Sequence, residues 1–300
     1  MKNFSSLKIL SLTVGILTVA LCSADAASSP FTHSPPSYLI QINGHVYKER
    51  NAHIRRPPAS LTKIMTALIV MESCNLDEVV VVSRGAAGET GSRIGLRKGE
   101  KLTVRDLLAA TLMASANDAC RALADHACGN QRNFVLKMNA RARALQLRDT
   151  RFTNACGHDN AGLYTTAHDL ALLTEKAMQK PLFAQLVARK DMRIRTLNSK
   201  RSYHIRNKNR LIGRYPGAIG VKTGTTPNAG QCLVAMAERE ERKVLLVIMH
   251  ARNRWWVAPA MLDAAFAAES ATIDENPDNT HESNSRRLYE ALPEGTLVPD

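Results

Sequence analysis

No pair of Cys-x-x-Cys units and no His-Glu-x-x-His occurs among the 300 residues. Spacing therefore supports neither a zinc-ribbon site nor a metallopeptidase. Beyond residue 22 no apolar run is long enough to cross a bilayer, so no transmembrane segment is expected in the mature chain. No nucleic-acid-binding motif accompanies the formal charge of +13. What remains is a chain with 45% hydrophobic residues, enough for one large domain or two small ones.

The first segment stands apart. Lys2 and Lys8 bracket a basic start, residues 9–22 are apolar, and Ala24-Asp25-Ala26 offers small residues for cleavage. Residues 1–26 read as a secretory signal peptide cut after Ala26. The competing reading is an uncleaved anchor; a lipoprotein signal ending at Cys22 is disfavoured by the bulky Leu21 before it. The mature chain is thus expected outside the cytoplasm, in the periplasm or cell envelope. There its positive charge suits anionic wall polymers or membrane surfaces better than nucleic acid. Five cysteines remain after cleavage (Cys74, Cys120, Cys128, Cys156 and Cys232), and an odd number cannot all pair internally. Most read as small buried residues, with one unassigned disulfide possible.

Residues 27–37 are serine- and proline-rich and read as a flexible leader. Residues 38–42 and 45–49 flank Asn43-Gly44, the pattern of a β-hairpin. A helix is expected from Ser60, a short β-branched run at 79–83, and a glycine-rich irregular stretch at 85–99. Thr103-x-x-Asp106 opens a helix through Met113; a second runs from about Ala116 to His126. Asn130 caps a third through Leu147, and Thr166-x-x-Asp169 opens a fourth that ends before Pro181. Met192, Ile194 and Thr196 alternate. Residues 218–223, 231–237 and 243–249 read as strands, and 254–266 as a final helix. Strands at both ends with helices between predict an α+β domain over 38–268 whose terminal strands share one sheet. Residues 269–300 read as a loose polar tail.

Within this layout, residues 57–71 read PPASLTKIMTALIVM. Two prolines stop the preceding segment and favour a first helical turn, and Leu61, Ile64, Met65, Leu68 and Ile69 recur on one apolar face. Ser60 and Lys63 stand one turn apart, so a hydroxyl and an amine lie side by side near a helix N-terminus. Alone, Ser-x-x-Lys is commonly a helix cap. Ser115-Ala116-Asn117 lies between two helices, where a hydroxyl can pass a proton and an amide can bridge backbone and substrate; alone it reads as a cap and a polar turn. Lys222-Thr223-Gly224 ends a strand and offers a cation, a hydroxyl and room for close backbone approach, suited to a peptide carboxylate; alone it is an ordinary strand end.

Ser-x-x-Lys, Ser-x-Asn and Lys-Thr-Gly in this order form the three-part signature of penicillin-interacting serine acyltransferases. The runs RRPPASLTKIMTAL, MASANDACRALAD and GAIGVKTGTTPNAG closely resemble those of the low-molecular-mass D-alanyl-D-alanine carboxypeptidases. So do the opening hairpin, the GSRIGLRKGE run and the 254–266 helix, and the resemblance covers about residues 38–266. It implies a β-lactamase/DD-peptidase-like fold. It also implies a serine-type carboxypeptidase that removes the terminal D-alanine of peptidoglycan stem peptides and is acylated by β-lactam antibiotics, with no metal or organic cofactor. Carried over by position, Ser60 is the nucleophile and Lys63 takes its proton. Ser115 and Asn117 relay protons and orient the peptide. Lys222, Thr223 and Gly224 line the carboxylate site, the backbone N–H groups of Ser60 and Thr225 form the oxyanion hole, and Arg254 matches a family arginine. Free lysine titrates near 10.4, so a proton-accepting Lys63 calls for burial and a neighbouring cation, for which Lys222 is the candidate.

Two departures bear on this reading. Gly157-His158 stands where the family has Gly-Leu, and His158 is expected to be an exposed loop residue. Residues 281–300 show no sustained apolar stripe, so neither the extra β-rich domain nor the anchoring helix of many relatives is expected. A serine β-lactamase is a rival reading, but the glutamate it needs between Asn117 and Lys222 is represented only by Glu175, inside a helix. A non-catalytic penicillin or muropeptide sensor is the other rival, disfavoured because every catalytic group is present.

Overall fold

Two segments far apart in the chain build one sheet. The computed structural model describes residue 31 and residues 34–198 and 200–268. The expected signal peptide, most of the leader and the polar tail lie outside the described residues. Strands β1 (Ser37–Ile42) and β2 (His45–Arg50) form the hairpin, with Asn43 and Gly44 at φ of 50° and 88°. Two positive φ values match a turn that follows the twist of the strands. The last three strands, β7 (Ala218–Thr226), β8 (Gly230–Arg239) and β9 (Arg242–Ala251), complete the sheet in the order β2-β1-β9-β8-β7. All its pairings are antiparallel. The terminal strands therefore share one sheet, as the sequence predicts, and β7 is its edge on the side away from the hairpin.

Residues of β8 and β9 are buried on both faces because helices cover both. Leu233, Ala235, Leu246 and Ile248 pack on Val257, Met261 and Leu262 of α8 (Arg254–Ala267). The alternate residues Val234, Met236, Leu245 and Val247 join the larger core with the remaining helices. This period-two division is what a pleated strand imposes.

The centre of the helical layer is α1 (Lys63–Ser73), whose residues 63–70 are all buried. Around it lie β3 (Val79–Val81), α2 (Arg84–Ala87), β4 (Lys101–Thr103), α3 (Val104–Leu112), α4 (Asn117–Cys128), α5 (Gln131–Ala144) and α6 (Ala167–Met178). The three caps read from the sequence form as such. Thr103 Oγ1, Asn130 Oδ1 and Thr166 Oγ1 accept from the N–H of Asp106, Asn133 and Asp169 at 3.1, 2.9 and 3.0 Å.

Elsewhere the structure differs from expectation. The first turn at Ser60 is a 3-10 turn (Ala59–Thr62), with α-helix only from Lys63, because Ala59 sits at φ 49° and swings the chain in tightly. The 85–99 stretch begins with the one-turn α2, capped by Ser83. The third helix stops at Ala144, before Gln146 at φ 57°. Pro181 opens a helix, α7 (Pro181–Ala188), where its missing N–H costs nothing. The alternating run becomes β5 (Asp191–Arg195), paired with an unforeseen β6 (Ser202–Arg206). The possible disulfide does not form: all five described cysteines are free, with Cys120, Cys156 and Cys232 buried.

Candidate active site

The 3-10 turn holds Ser60 between two backbone approaches. A Cβ at Gly157 would lie 1.9 Å from Ala59 O, and one at Gly224 would lie 3.0 Å from Pro58 O and 3.1 Å from Ser60 N. Only glycine lets the 157 loop and β7 close on the turn from both sides. Thr62 Oγ1 donates to Ala59 O at 2.8 Å and fixes the turn from within.

One turn on, Lys63 is wholly buried. Its Nζ lies 3.1 Å from Ser60 Oγ, 2.7 Å from Asn117 Oδ1 and 2.5 Å from Cys156 O. Two of these partners are pure acceptors, whereas the serine hydroxyl can also donate. Lys63 Nζ donates to all three, and of these acceptors only the Ser60 hydroxyl has a proton of its own to give. Asn154 secures the third partner: its Oδ1 accepts from the N–H of Cys156, Gly157 and His158 at 3.2, 2.6 and 3.0 Å, which aims Cys156 O at the amine.

Ser115 occupies the corner between α3 and α4 at φ 57°, a conformation that costs a non-glycine residue energy and gathers at functional sites. Its Oγ accepts from Lys222 Nζ at 2.9 Å. Asn117 opens α4; its Nδ2 donates to Thr90 O at 2.6 Å and its N–H to Ser92 O at 2.6 Å. The amide thus links the glycine-rich loop to Lys63. Buried Asp118 holds the same loop, accepting from the N–H of Ile94, Gly95 and Leu96 at 3.3, 2.9 and 3.0 Å.

Lys222 lies in β7, buried, with Thr223 beside it. Burial, then the charges of Lys63, Lys208 and Arg254, hold Lys222 well below the ordinary lysine range. Lys208 is a third lysine that the sequence did not single out; its Nζ donates to Ser92 Oγ at 2.7 Å, and burial and Lys63 lower it too. Arg254, which could have been plain surface charge, is part-buried at the end of β7. Its Nη1 donates to Gly224 O, to Thr225 Oγ1 at 2.8 Å and to Cys232 O at 2.9 Å.

All nine residues singled out in the sequence therefore meet where the edge of β7 faces the start of α1 and the α3–α4 corner. Asn154, Asp118, Lys208 and Glu89 also serve the site and were missed. Each is an ordinary loop or helix polar residue until the fold supplies its partners, so no local signal could have found them. His158 is not an exposed loop residue: it is half-buried, with Nε2 2.9 Å from Glu89 Oε2, and Arg121 pairs with the same carboxylate at 3.1 Å. Glu175 lies on α6 among Gln41 and His168, away from the site.

The model of the family described as D-alanyl-D-alanine carboxypeptidase, peptidase S11, matches residues 24–253. The chain is 34% identical over 250 residues to the D-alanyl-D-alanine carboxypeptidase DacF of Bacillus subtilis, covering 80% of this chain and 64% of that protein, just under two thirds of its length. It is 33% identical over 253 residues to DacB2 of Mycobacterium tuberculosis, covering 81% of this chain and 86% of the relative. The crystal structure of a D-alanyl-D-alanine carboxypeptidase from Mycobacterium tuberculosis H37Rv superposes with a TM-score of 0.76 at 32% identity, covering 82% of this chain and 96% of that one. Fold, site geometry and these likenesses agree: the chain belongs to the peptidase S11 family of D-alanyl-D-alanine carboxypeptidases.

Proposed function

We propose that this protein is a serine-type D-Ala-D-Ala carboxypeptidase that trims peptidoglycan stem pentapeptides outside the cytoplasm, after removal of residues 1–26. The observation that carries the proposal is the buried amine of Lys63, 3.1 Å from the half-buried hydroxyl of Ser60. A serine is a weak nucleophile until a neighbouring base takes its proton.

Ser60 Oγ attacks the carbonyl carbon of the penultimate D-alanine while its proton passes to Lys63 Nζ. The oxyanion that forms is met by the N–H groups of Ser60 and Thr225. The peptide C–N bond breaks, and the departing D-alanine takes a proton relayed through Ser115 Oγ. Water then hydrolyses the Ser60 ester. Lys222 and Thr223 hold the substrate's terminal carboxylate, and Asn117 orients the stem peptide. The free edge of β7 suits an extended peptide, since main-chain bonds give such a ligand its register. β-Lactams acylate the same serine.

The test is release of D-alanine from a synthetic stem pentapeptide, with penicillin labelling located by peptide mass mapping. Stoichiometric label on Ser60 and none in Ser60→Ala is expected. Label on another residue overturns the assignment. Rapid penicillin turnover would point to a β-lactamase, and binding without D-alanine release to a sensor.

A further inference from the structure

A second cluster of chemically capable groups lies at the far end of α1, about 16 Å of helix from Lys63 at 1.5 Å per residue. Cys74 caps the C-terminus of α1, its N–H donating to Val70 O at 2.9 Å. Glu78 stands just before β3, where its carbonyl accepts from Val104 N at 3.0 Å. His126 is in the last turn of α4. One ligand atom from each of these three side chains lies within 4.8 Å of the others. None takes part in the active site.

The geometry is organised. His126 Nε2 is 2.8 Å from Glu78 Oε2, while Glu78 Oε1 accepts from Asn75 N at 3.3 Å. One carboxylate oxygen is therefore fixed by the backbone and the other is turned toward the imidazole. Ser73 Oγ spends its proton on Ile69 O at 2.7 Å, so it stands as an acceptor beside Cys74 Sγ at 4.0 Å. Cys128, the last residue of α4, is another half-buried thiol.

An imidazole–carboxylate pair needs no thiol beside it. A thiol, an imidazole and a carboxylate together are a borderline-soft donor set, which suits Zn²⁺ and excludes the oxygen-only preference of Ca²⁺ and Mg²⁺. Tetrahedral zinc with bonds of about 2.0–2.3 Å sets its donors roughly 3.3–3.7 Å apart. The present separations, from 2.8 Å up to 4.8 Å, bracket that figure, so small side-chain rotations suffice. The metal would sit between Nε2 and Oε2 in place of their hydrogen bond.

We propose that Cys74 Sγ, Glu78 Oε2 and His126 Nε2 bind one Zn²⁺, with water in the fourth position. The sequence hides this site because its ligands are at 74, 78 and 126, with no close-spaced cysteine pair. The ion would clip together the end of α1, the turn before β3 and the end of α4, and stabilise the helical layer without touching Ser60. Binding expels the thiol proton, so the thiolate forms only as the metal arrives. Burial raises the Cys74 thiol above its ordinary range, and Lys137 on α5 opposes this only in part.

The test uses the full chain, stripped with chelator and kept reduced, titrated with Co²⁺ as a spectroscopic probe. A thiolate-to-cobalt charge-transfer band that saturates at one equivalent and is erased by Zn²⁺ is expected. Cys74→Ser should abolish the band, and His126→Ala should weaken Zn²⁺ binding by at least about tenfold. Cys232→Ser, a buried thiol elsewhere, should keep the band. Because either variant could be less stable, the rise in Tm on adding Zn²⁺ is read within each variant: present in the parent, lost in Cys74→Ser. No band, or a band and a Zn²⁺ response unchanged in Cys74→Ser, overturns the proposal and leaves the cluster a simple histidine–glutamate pair.

Discussion

Lys222 Nζ donates to Ser115 Oγ at 2.9 Å across 107 residues of sequence. The bond ties the edge strand of the sheet to the corner between two helices, so the two layers of the fold meet at a polar contact. Its donor is a cation with almost no access to water, pressed by Lys63, Lys208 and Arg254. Such a group serves a ligand better than it serves stability.

Lys222→Met should therefore stabilise the fold while removing function. The lysine is held below its unfolded value, so the native state is penalised wherever both states are charged. That penalty is relieved as pH rises from the folded value toward the ordinary lysine value. At neutral pH the variant should gain about 1 kcal/mol, a Tm rise of roughly 2–4 °C. The gain should shrink toward pH 10. Penicillin acylation and D-alanine release should fall about 100-fold as the substrate carboxylate loses its cation. Calorimetry across pH together with acylation kinetics checks both halves; a Lys222→Met protein that is less stable at neutral pH contradicts the electrostatic account.

Gly157→Ala tests the backbone contact behind Ser60. With φ at 88° and a Cβ 1.9 Å from Ala59 O, the added methyl cannot be absorbed by a side-chain rotation. The serine turn must shift. Displacement of a nucleophile by about 1 Å costs roughly 100-fold in rate, so the acylation rate should fall by about that factor. Gly224→Ala, whose nearest contacts are at 3.0 and 3.1 Å, should cost less. Equal acylation rates in parent and Gly157→Ala would remove the claim.

The sequence disclosed the parts of this molecule whose signals are local. Asn43-Gly44 announces its turn, Thr103, Asn130 and Thr166 announce their helices, and the buried strands β8 and β9 are plain from apolar runs. Pro181 marks the end of α6 as read, but the helix it opens was not foreseen, because the same residue that ends one helix is favoured at the start of the next. The strand β6 shows only Tyr203 and Ile205 as apolar among charged and polar neighbours, too short a pattern to stand out. The site was legible as three motifs, since Ser60 and Lys63, Ser115 and Asn117, and Lys222 to Gly224 each stand at a fixed spacing. Its supports were not. Asn154 and Asp118 act through backbone N–H groups, and Lys208 and Glu89 act on partners distant in sequence. Such roles exist only after folding.

Asp118 is the support whose loss should spread furthest. Its carboxylate accepts from three N–H groups of the 94–96 segment and from Ala119 N at 2.9 Å. Asp118→Ala leaves the N–H groups of Leu96 and Ala119 buried without a partner, a loss of about 2–4 kcal/mol, or roughly 4–16 °C in Tm. The loop it releases carries Thr90 and Ser92, which hold Asn117, so activity should drop further than stability alone explains. Thermal unfolding, and acylation measured well below the variant's Tm, separate the two effects. Full activity at low temperature would show that the loop does not position Asn117.

Arg254 poses the sharpest question about how the strand end works. Its Nη1 reaches both Gly224 O and Thr225 Oγ1, so one guanidinium nitrogen grips the peptide unit that carries the Thr225 N–H proposed for the oxyanion hole. If this grip positions that N–H, Arg254→Leu should slow penicillin acylation by about tenfold or more and lower kcat for the pentapeptide. If the guanidinium only attracts the substrate carboxylate, KM should rise while kcat stays. The first outcome is expected, because Nη1 is already committed to three oxygens on β7 and β8. A double-mutant cycle with Thr225→Val makes the distinction quantitative. Two groups joined by a 2.8 Å bond should show a coupling energy on the order of 1 kcal/mol in the acylation rate. Strictly additive effects, or a change confined to KM, would mean that Arg254 acts on the ligand alone and that β7 keeps its own shape without it.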